Sequence, residues 1–213
     1  QWRFGLAFDF GAARGLAAYG VNRLGTSLLD FANTRLIELL MASALGPVAL
    51  GIYAVGSKLH QVAMQALSGA LVEVAHSWFS RIADDREALA RAYYRAASLT
   101  AATAVPVFCM MAALAPEITV TVFGDKWADS ASVLRPMAVL GAVQVVQFYN
   151  GPTLNAIGRP GIGLAFIIFK AAITLTTLWL ARDSDIRTMV YAFVGAQLLT
   201  TPFSYWVMRR VTG

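Results

Sequence analysis

Charge is scarce in this sequence: Asp, Glu, Lys and Arg make up 14% of its 213 residues, where an ordinary soluble domain carries about a quarter. Cysteine and histidine are scarcer still, at one and two. A single cysteine excludes an internal disulfide, and with two histidines it does not build a zinc site of usual composition. No GxxxxGK[ST] phosphate loop is present, which excludes the motor of an ATP-driven pump. The triplet at Gly25, Thr26 and Ser27 lies inside a helical pattern, so it is not a nucleophile elbow. The polar connection at 80–95 is short and rich in Ala and Arg, unlike the large polar loops of membrane glycosyl transferases. Neither a metal nor a cofactor is expected, and the reading is not that of an enzyme.

What is abundant is apolar. The chain is 58% hydrophobic with a mean hydropathy of +0.60, which places it among membrane proteins before any motif is read. Its net charge of +5 then matters through placement rather than sum, and the basic balance does not indicate nucleic acid. Cys109 lies in an apolar run, where a small buried hydrophobe is expected.

A helix needs about 20 mainly apolar residues to cross the hydrocarbon layer. Windows 96–115, 136–158 and 188–208 carry no Asp, Glu, Lys or Arg, and 161–181 is interrupted only by Lys170, which suits a cavity or a snorkelling site. The segments 16–45 and 48–79 are long and mostly apolar but hold Arg23, Asp30, Arg35, Glu38, Lys58 and Glu73. The fold class expected is all-α, a polytopic bundle of six spans at about 16–45, 48–79, 96–116, 133–158, 161–181 and 187–208. Gly46 and Pro47 close one helix and open the next as a tight hairpin. Residues 80–95 read as a charged cytoplasmic loop with helical spacing, and "PEITVTVFGDKWADS" as a polar turn with Trp127 at the interface.

Six spans put both ends on one side. That side collects Arg3, Arg14, Arg81, Arg86, Arg91, Arg95, Arg159, Arg209 and Arg210, and the other collects Lys126, Arg135, Arg182 and Arg187. Nine cations against four assign both ends to the cytoplasm.

Polar residues recur at helical spacing. Asn22, Thr26, Asp30 and Asn33 share a face of the first helix, with Arg23 beside them; Lys58, Gln61, Gln65 and Ser68 form a stripe on the second; Gln144, Gln147, Gly151 and Asn155, with Tyr149 and Asn150, form one on the fourth. Such stripes either line a hydrated pathway or hold a bundle together through interhelical hydrogen bonds. The candidate cavity residues are Arg23, Asp30, Asn33, Lys58, Gln61, Gln65, Gln144, Gln147 and Asn150. Arg35 lies on another side, where pairing with Glu38 or snorkelling suffices.

The phrase "FANTRLIELLMASALGPVALGIYAVGSKL" resembles the repeat signature of the polysaccharide transporter branch of the multidrug/oligosaccharidyl-lipid/polysaccharide exporter superfamily, with Gly46, Ala49, Leu50, Gly51, Tyr53, Ala54 and Leu59 matching. "ALAPEITVTVFGDKWADSASVLRPMAV" is similar to a second family phrase through Ala115, Pro116, Gly124, Lys126, Trp127, Ala131 and Leu134, and "LNAIGRPG" to a third. The resemblance implies one six-helix lobe, the second of two, of a protein that flips lipid-linked oligosaccharides across the bacterial inner membrane by alternating access. It further implies a longer parent chain, a missing partner lobe, and contact with membrane lipid and polysaccharide assembly proteins. Arg23 and Lys58 would then hold the pyrophosphate, Asp30 would serve as counter-ion or coupling site, and Gln61, Gln65, Gln144 and Asn150 would meet sugar hydroxyls. Multidrug export, peptidoglycan-precursor export and a non-transporting scaffold are the alternatives.

Overall fold

The structure is a computed structural model that describes residues 10–212, with side chains from Gly20 onward except those of Asn22, Arg23, Thr26 and Ala70. Among the described residues the regular elements are all helical: α1 (Phe10–Arg81), α2 (Arg86–Ala113), α3 (Ala115–Phe123), α4 (Ala131–Gln144), α5 (Asn150–Ala156), α6 (Pro160–Leu180) and α7 (Ile186–Thr212), with 3-10 turns at Asp125–Ser130 and Val145–Gln147.

Gly46 divides α1. Its φ of 82° and ψ of 177° interrupt the helix, a conformation that glycine adopts without a Cβ clash. Ile37 and Met41 from the limb before it share a buried cluster with Tyr53 from the limb after it. Asp30 and Asn33 line a cavity together with His60 and Gln61. In a straight helix Asp30 and Gln61 would stand about 46 Å apart, so the two limbs fold back on each other about Gly46.

Four helical stretches among the described residues are long and apolar enough to cross a bilayer: Ser27–Arg81, which contains the Gly46 break, Arg86–Ala113, Asp125–Ala156 and Pro160–Leu180. The fold is that of an all-α polytopic membrane protein. Helix α7 falls short of the apolarity of the others despite its uncharged stretch. Its Gln197, Thr200 and Ser204 are buried against the bundle, where their polarity costs little once hydrogen-bonded.

Three expectations change in the structure. Only Ile82 to Asp85 forms the turn within 80–95; Asp85 accepts a hydrogen bond from the Ala88 N–H at 2.9 Å and caps α2, so the charged residues from Arg86 onward belong to a helix. The expected turn around Trp127 is helical too, as α3 and a 3-10 segment, and the Trp127 ring lies over Gly51 of the hairpin at a distance a Cβ there would just reach. Cys109 is exposed rather than buried. In a membrane helix the lipid-facing side is as apolar as the core, so an oily run does not mark burial.

Three buried clusters set the bundle. At the Gly46 end, Ile37, Met41 and Tyr53 meet Val133, Met137, Leu140, Met189 and Val190. At the opposite end, Ala75 and Phe79 meet Leu89, Tyr93, Tyr149, Leu154 and Met208. Between them Phe108, Ala104, Ala138 and Val145 join α2 to α4. Helix ends are tied across elements. Arg135 Nε donates to the Ala112 carbonyl at 3.2 Å, and Arg86 Nη1 to the Val211 carbonyl at 2.9 Å, which satisfies carbonyls that the helices leave unpaired.

Candidate functional site: a polar cavity inside the bundle

The two limbs of α1, with α4, α6 and α7, line an open cavity of about 320 Å³. The fold-back at Gly46 brings the Asp30 face of one limb opposite the face of the other that carries Tyr53, Ser57, His60 and Gln61. Helix α4 adds Gln144, α6 adds Lys170, and α7 adds Gln197. Apolar residues complete the wall, among them Ile37, Met137, Leu140, Phe166 and Phe193. Carboxylate, ammonium, imidazole and amides thus converge on one cavity, Asp30 and Gln61 exposed and His60 and Gln197 buried, an arrangement that is expensive in a membrane unless it is used.

Asp30 of α1 and Lys170 of α6 line the same cavity. Thr174 Oγ1 donates to the Lys170 carbonyl at 2.8 Å and accepts from Gln197 Nε2 at 3.2 Å, which fixes the Gln197 amide and turns its oxygen away. Asn33 Oδ1, His60 Nδ1 and Gln197 Oε1 are buried with no hydrogen-bond partner among the described residues, and all three residues line this cavity. Buried polar atoms are nearly always paired, so three orphans on residues of one cavity single out its wall. Among the described residues no three His, Cys, Asp or Glu side chains group as a metal site would require.

Of the residues expected at a cavity, Asp30, Asn33, Gln61 and Gln144 line this one. Lys58 and Gln65 are exposed on the second limb and do not line it. The Arg23 side chain lies outside the described residues. Gln147 Nε2 donates to Thr201 Oγ1 at 3.1 Å, and Asn150 bridges Tyr93 and Ser204, so these two stitch helices together. Tyr149 shares a 2.6 Å hydrogen bond with Thr100 in the same seam. Arg35 pairs with Glu38 and sits over the Phe31 ring. His60, Lys170 and Gln197 are the residues that stripe reading did not assign. Their signal was present: Tyr53, Ser57, His60 and Gln61 recur at helical spacing one step round from Lys58, and Gln197, Thr200, Thr201 and Ser204 do so on α7.

The chain is 25% identical over 208 residues to the lipopolysaccharide biosynthesis protein WzxC of Escherichia coli (strain K12), covering 97% of this chain and 42% of that protein. It is 21% identical over 209 residues to the teichuronic acid biosynthesis protein TuaB of Bacillus subtilis (strain 168), with 93% and 43% covered. It is 20% identical over 217 residues to the succinoglycan biosynthesis transport protein ExoT of Rhizobium meliloti (strain 1021), with 94% and 44% covered. The chain therefore spans about two fifths of the length of the curated relatives it matches. No solved structure matches it. Residues 1–132 match the family described as "Polysaccharide biosynthesis protein", and the chain belongs to that family.

Proposed function

We propose that this chain forms a six-span lobe of a transporter that flips a lipid-linked oligosaccharide across a bacterial inner membrane by alternating access. The spans are the two limbs of α1, then α2, α4 with α5, α6, and α7, with both ends in the cytoplasm. The observation that carries the reading is the polar cavity, lined by Asp30, Lys170 and the residues of three orphaned polar atoms. The names of the relatives, which refer to lipopolysaccharide, teichuronic acid and succinoglycan, support a glycan as the cargo.

In this reading sugar hydroxyls meet the amides of Gln61 and Gln144, with Asn33 and Gln197 as further residues of the wall. Lys170 supplies the cavity cation for an anionic group of the substrate, and Asp30 balances it when the cavity is empty. Arg23 is assigned to the phosphate side of the same path. Lys58 and Gln65, exposed on the second limb, face the partner lobe. A mainly acidic cavity would suit organic cations as in drug export; this one sets one ammonium against one carboxylate, among amides and aromatic rings.

The test is flipping of labelled lipid-linked sugar by the full-length protein in vesicles. Lys170→Gln and Asn33→Leu are expected to lower it at least tenfold at unchanged protein level. Wild-type flipping by both variants would overturn the assignment. Reporter fusions in the turns at 82–85 and 181–185 are expected to report cytoplasm and periplasm, in that order.

A further inference from the structure

At the end of the bundle where α1 turns at Gly46, an open cleft of about 290 Å³ lies between the 3-10 turn that leads into α4 and the start of α7. Asp129, Ser132 and Arg135 line it from one element pair, Arg187 and Tyr191 from α7, with Pro116 of α3 in its wall. The cleft faces away from the polar cavity. Successive residues of a helix differ by about 100° in direction, so Arg135 stands about 200° round α4 from Met137, and Tyr191 about 200° round α7 from Phe193. Met137 and Phe193 both line the polar cavity, so α4 and α7 carry one site toward the bundle and another toward its surroundings.

The charges of the cleft are not matched to one another. Ion pairs among the described residues join Arg35 to Glu38, Arg91 to Glu87 and Arg182 to Asp183, so Arg135, Arg187 and Asp129 share one cleft without pairing. Arg135 Nε donates to the Ala112 carbonyl at 3.2 Å, which fixes the guanidinium plane and leaves the two Nη groups, a fork that fits phosphate oxygens. Arg187 is exposed, and Asp185 beside it in sequence bonds Thr188 instead. Ser132 Oγ turns back to the Asp129 backbone carbonyl at 2.7 Å, so the exposed Asp129 side chain is the anionic acceptor that the cleft offers. A ligand with a phosphate for the two guanidiniums and an ammonium for Asp129 satisfies all three.

Deeper along the same two helices the surface turns apolar. Val139, one turn beyond Arg135 on α4, is 49% exposed, and Leu199, two turns beyond Tyr191 on α7, is 77% exposed. In a bilayer such side chains meet acyl chains, and an exposed tyrosine such as Tyr191 suits the headgroup level. Charged cleft at the helix ends and apolar flank below it follow the order of head and tail in a phospholipid, and basic pockets between membrane helices are where lipid headgroups bind.

We infer that this cleft holds the headgroup of a bilayer phospholipid of the phosphoethanolamine class, with Arg135 and Arg187 taking its phosphate, Asp129 its ammonium, and the acyl chains passing Val139 and Leu199. In the proposed orientation the lipid belongs to the periplasmic leaflet. It is a bound neighbour and not the cargo, because it sits on the sides of α4 and α7 that face away from the polar cavity. The inference therefore goes beyond the transport reading and stands without it.

The experiment adds phosphatidylethanolamine, phosphatidylglycerol or phosphatidylcholine to the full-length protein in detergent and counts retained lipid by native mass spectrometry. All three carry the phosphate, but phosphatidylglycerol has no ammonium and the quaternary ammonium of phosphatidylcholine has no proton to donate to Asp129. Wild-type protein is expected to retain one phosphatidylethanolamine at least fivefold better than either of the others. Arg187→Gln is expected to cut that retention at least fivefold; Arg135→Lys, which keeps the charge and loses the fork, is the second phosphate-side variant should the first fail to accumulate. Asp129→Asn is expected to keep a bound lipid and lose the preference for phosphatidylethanolamine over phosphatidylcholine, a pattern that separates the ammonium from the phosphate. Equal retention of the three lipids, or a preference for phosphatidylglycerol, would overturn the headgroup assignment. Wild-type retention by both arginine variants, or an unaltered preference in Asp129→Asn, would remove the cleft from lipid binding.

Discussion

Tyr93 donates its hydroxyl to Asn150 Oδ1 at 2.7 Å, and Asn150 Nδ2 donates onward to Ser204 Oγ at 2.8 Å, so one asparagine joins α2 to α7 across the break between α4 and α5. Asn150→Ala removes both bonds and leaves the buried Tyr93 hydroxyl unpaired. In membrane bundles such bonds are worth about 0.6 kcal/mol each on average, with the orphan adding to the loss, so a destabilisation of about 1–2 kcal/mol is expected. Thermal unfolding in detergent checks this, with flipping per folded molecule measured alongside. Unchanged stability with lost flipping would instead make Asn150 a substrate contact.

Close helix packing gives a second prediction. A Cβ at Gly56 would come within 2.7 Å of Val133 Cβ and 2.8 Å of the Ser130 carbonyl, and one at Gly141 within 2.6 Å of the Phe108 ring. The first obstacle includes backbone, which cannot rotate away. Gly56→Ala is expected to cost about 1–3 kcal/mol by overpacking. Gly69, with nothing within 4 Å, is the control: Gly69→Ala is expected to be neutral or slightly stabilising. Equal melting temperatures for the two variants would contradict the packing.

Much of this fold was legible because membrane helices announce themselves by composition, and Gly46 with Pro47 announces where one ends. Asp30, Asn33, Gln61 and Gln144 were legible as stripes because amides and carboxylates are costly in lipid and gather on protected faces. On the second limb the expected stripe shares only Gln61 with the cavity face. Lys58 drew the stripe toward itself, whereas the cavity face runs through Ser57 and His60, and neighbouring residues on a helix differ by about 100° in direction. That Lys170 shares a cavity with Asp30 depends on how α6 packs against α1, which no periodicity within a single helix encodes. Asn150 and Gln147 looked like pathway residues for the opposite reason: their partners Tyr93, Ser204 and Thr201 lie more than fifty positions away.

The start of α7 carries a pH signature outside the spans. The Thr188 hydroxyl and backbone N–H both donate to Asp185 Oδ1, and these bonds, the hydroxyl first, hold the Asp185 carboxyl below its usual range. A lowered folded value means the cap's stabilisation is present above the unfolded carboxylate value and is lost as pH falls through the folded one. Asp185→Ala is therefore expected to melt slightly below wild type at neutral pH, with the gap closing only under acid conditions. Because Asp185 is fully exposed, the gap is small. A gap that widened in acid would show that the carboxylate is not the stabilising form.

The hairpin that opens the site supplies the final prediction. Gly46, at φ 82° and ψ 177°, occupies a region that residues with a Cβ reach only under strain, of order 1–3 kcal/mol. A Cβ built there meets nothing within 4 Å, so the cost of substitution is conformational rather than steric contact with neighbours. Gly46→Ala is expected to lower stability by about that amount, whereas Pro47→Ala, which only restores an N–H at the first turn of the second limb, is expected to change it little. The loss at Gly46 should extend to transport, because relaxing that residue toward helical angles swings the Asp30 limb away from the His60 limb and opens the cavity wall. The measurement is unfolding of both variants beside flipping of labelled lipid-linked sugar. A Gly46→Ala protein as stable and active as wild type would mean that the fold-back is imposed by the packing of Met41 against Tyr53 and its neighbours, with glycine dispensable at the turn.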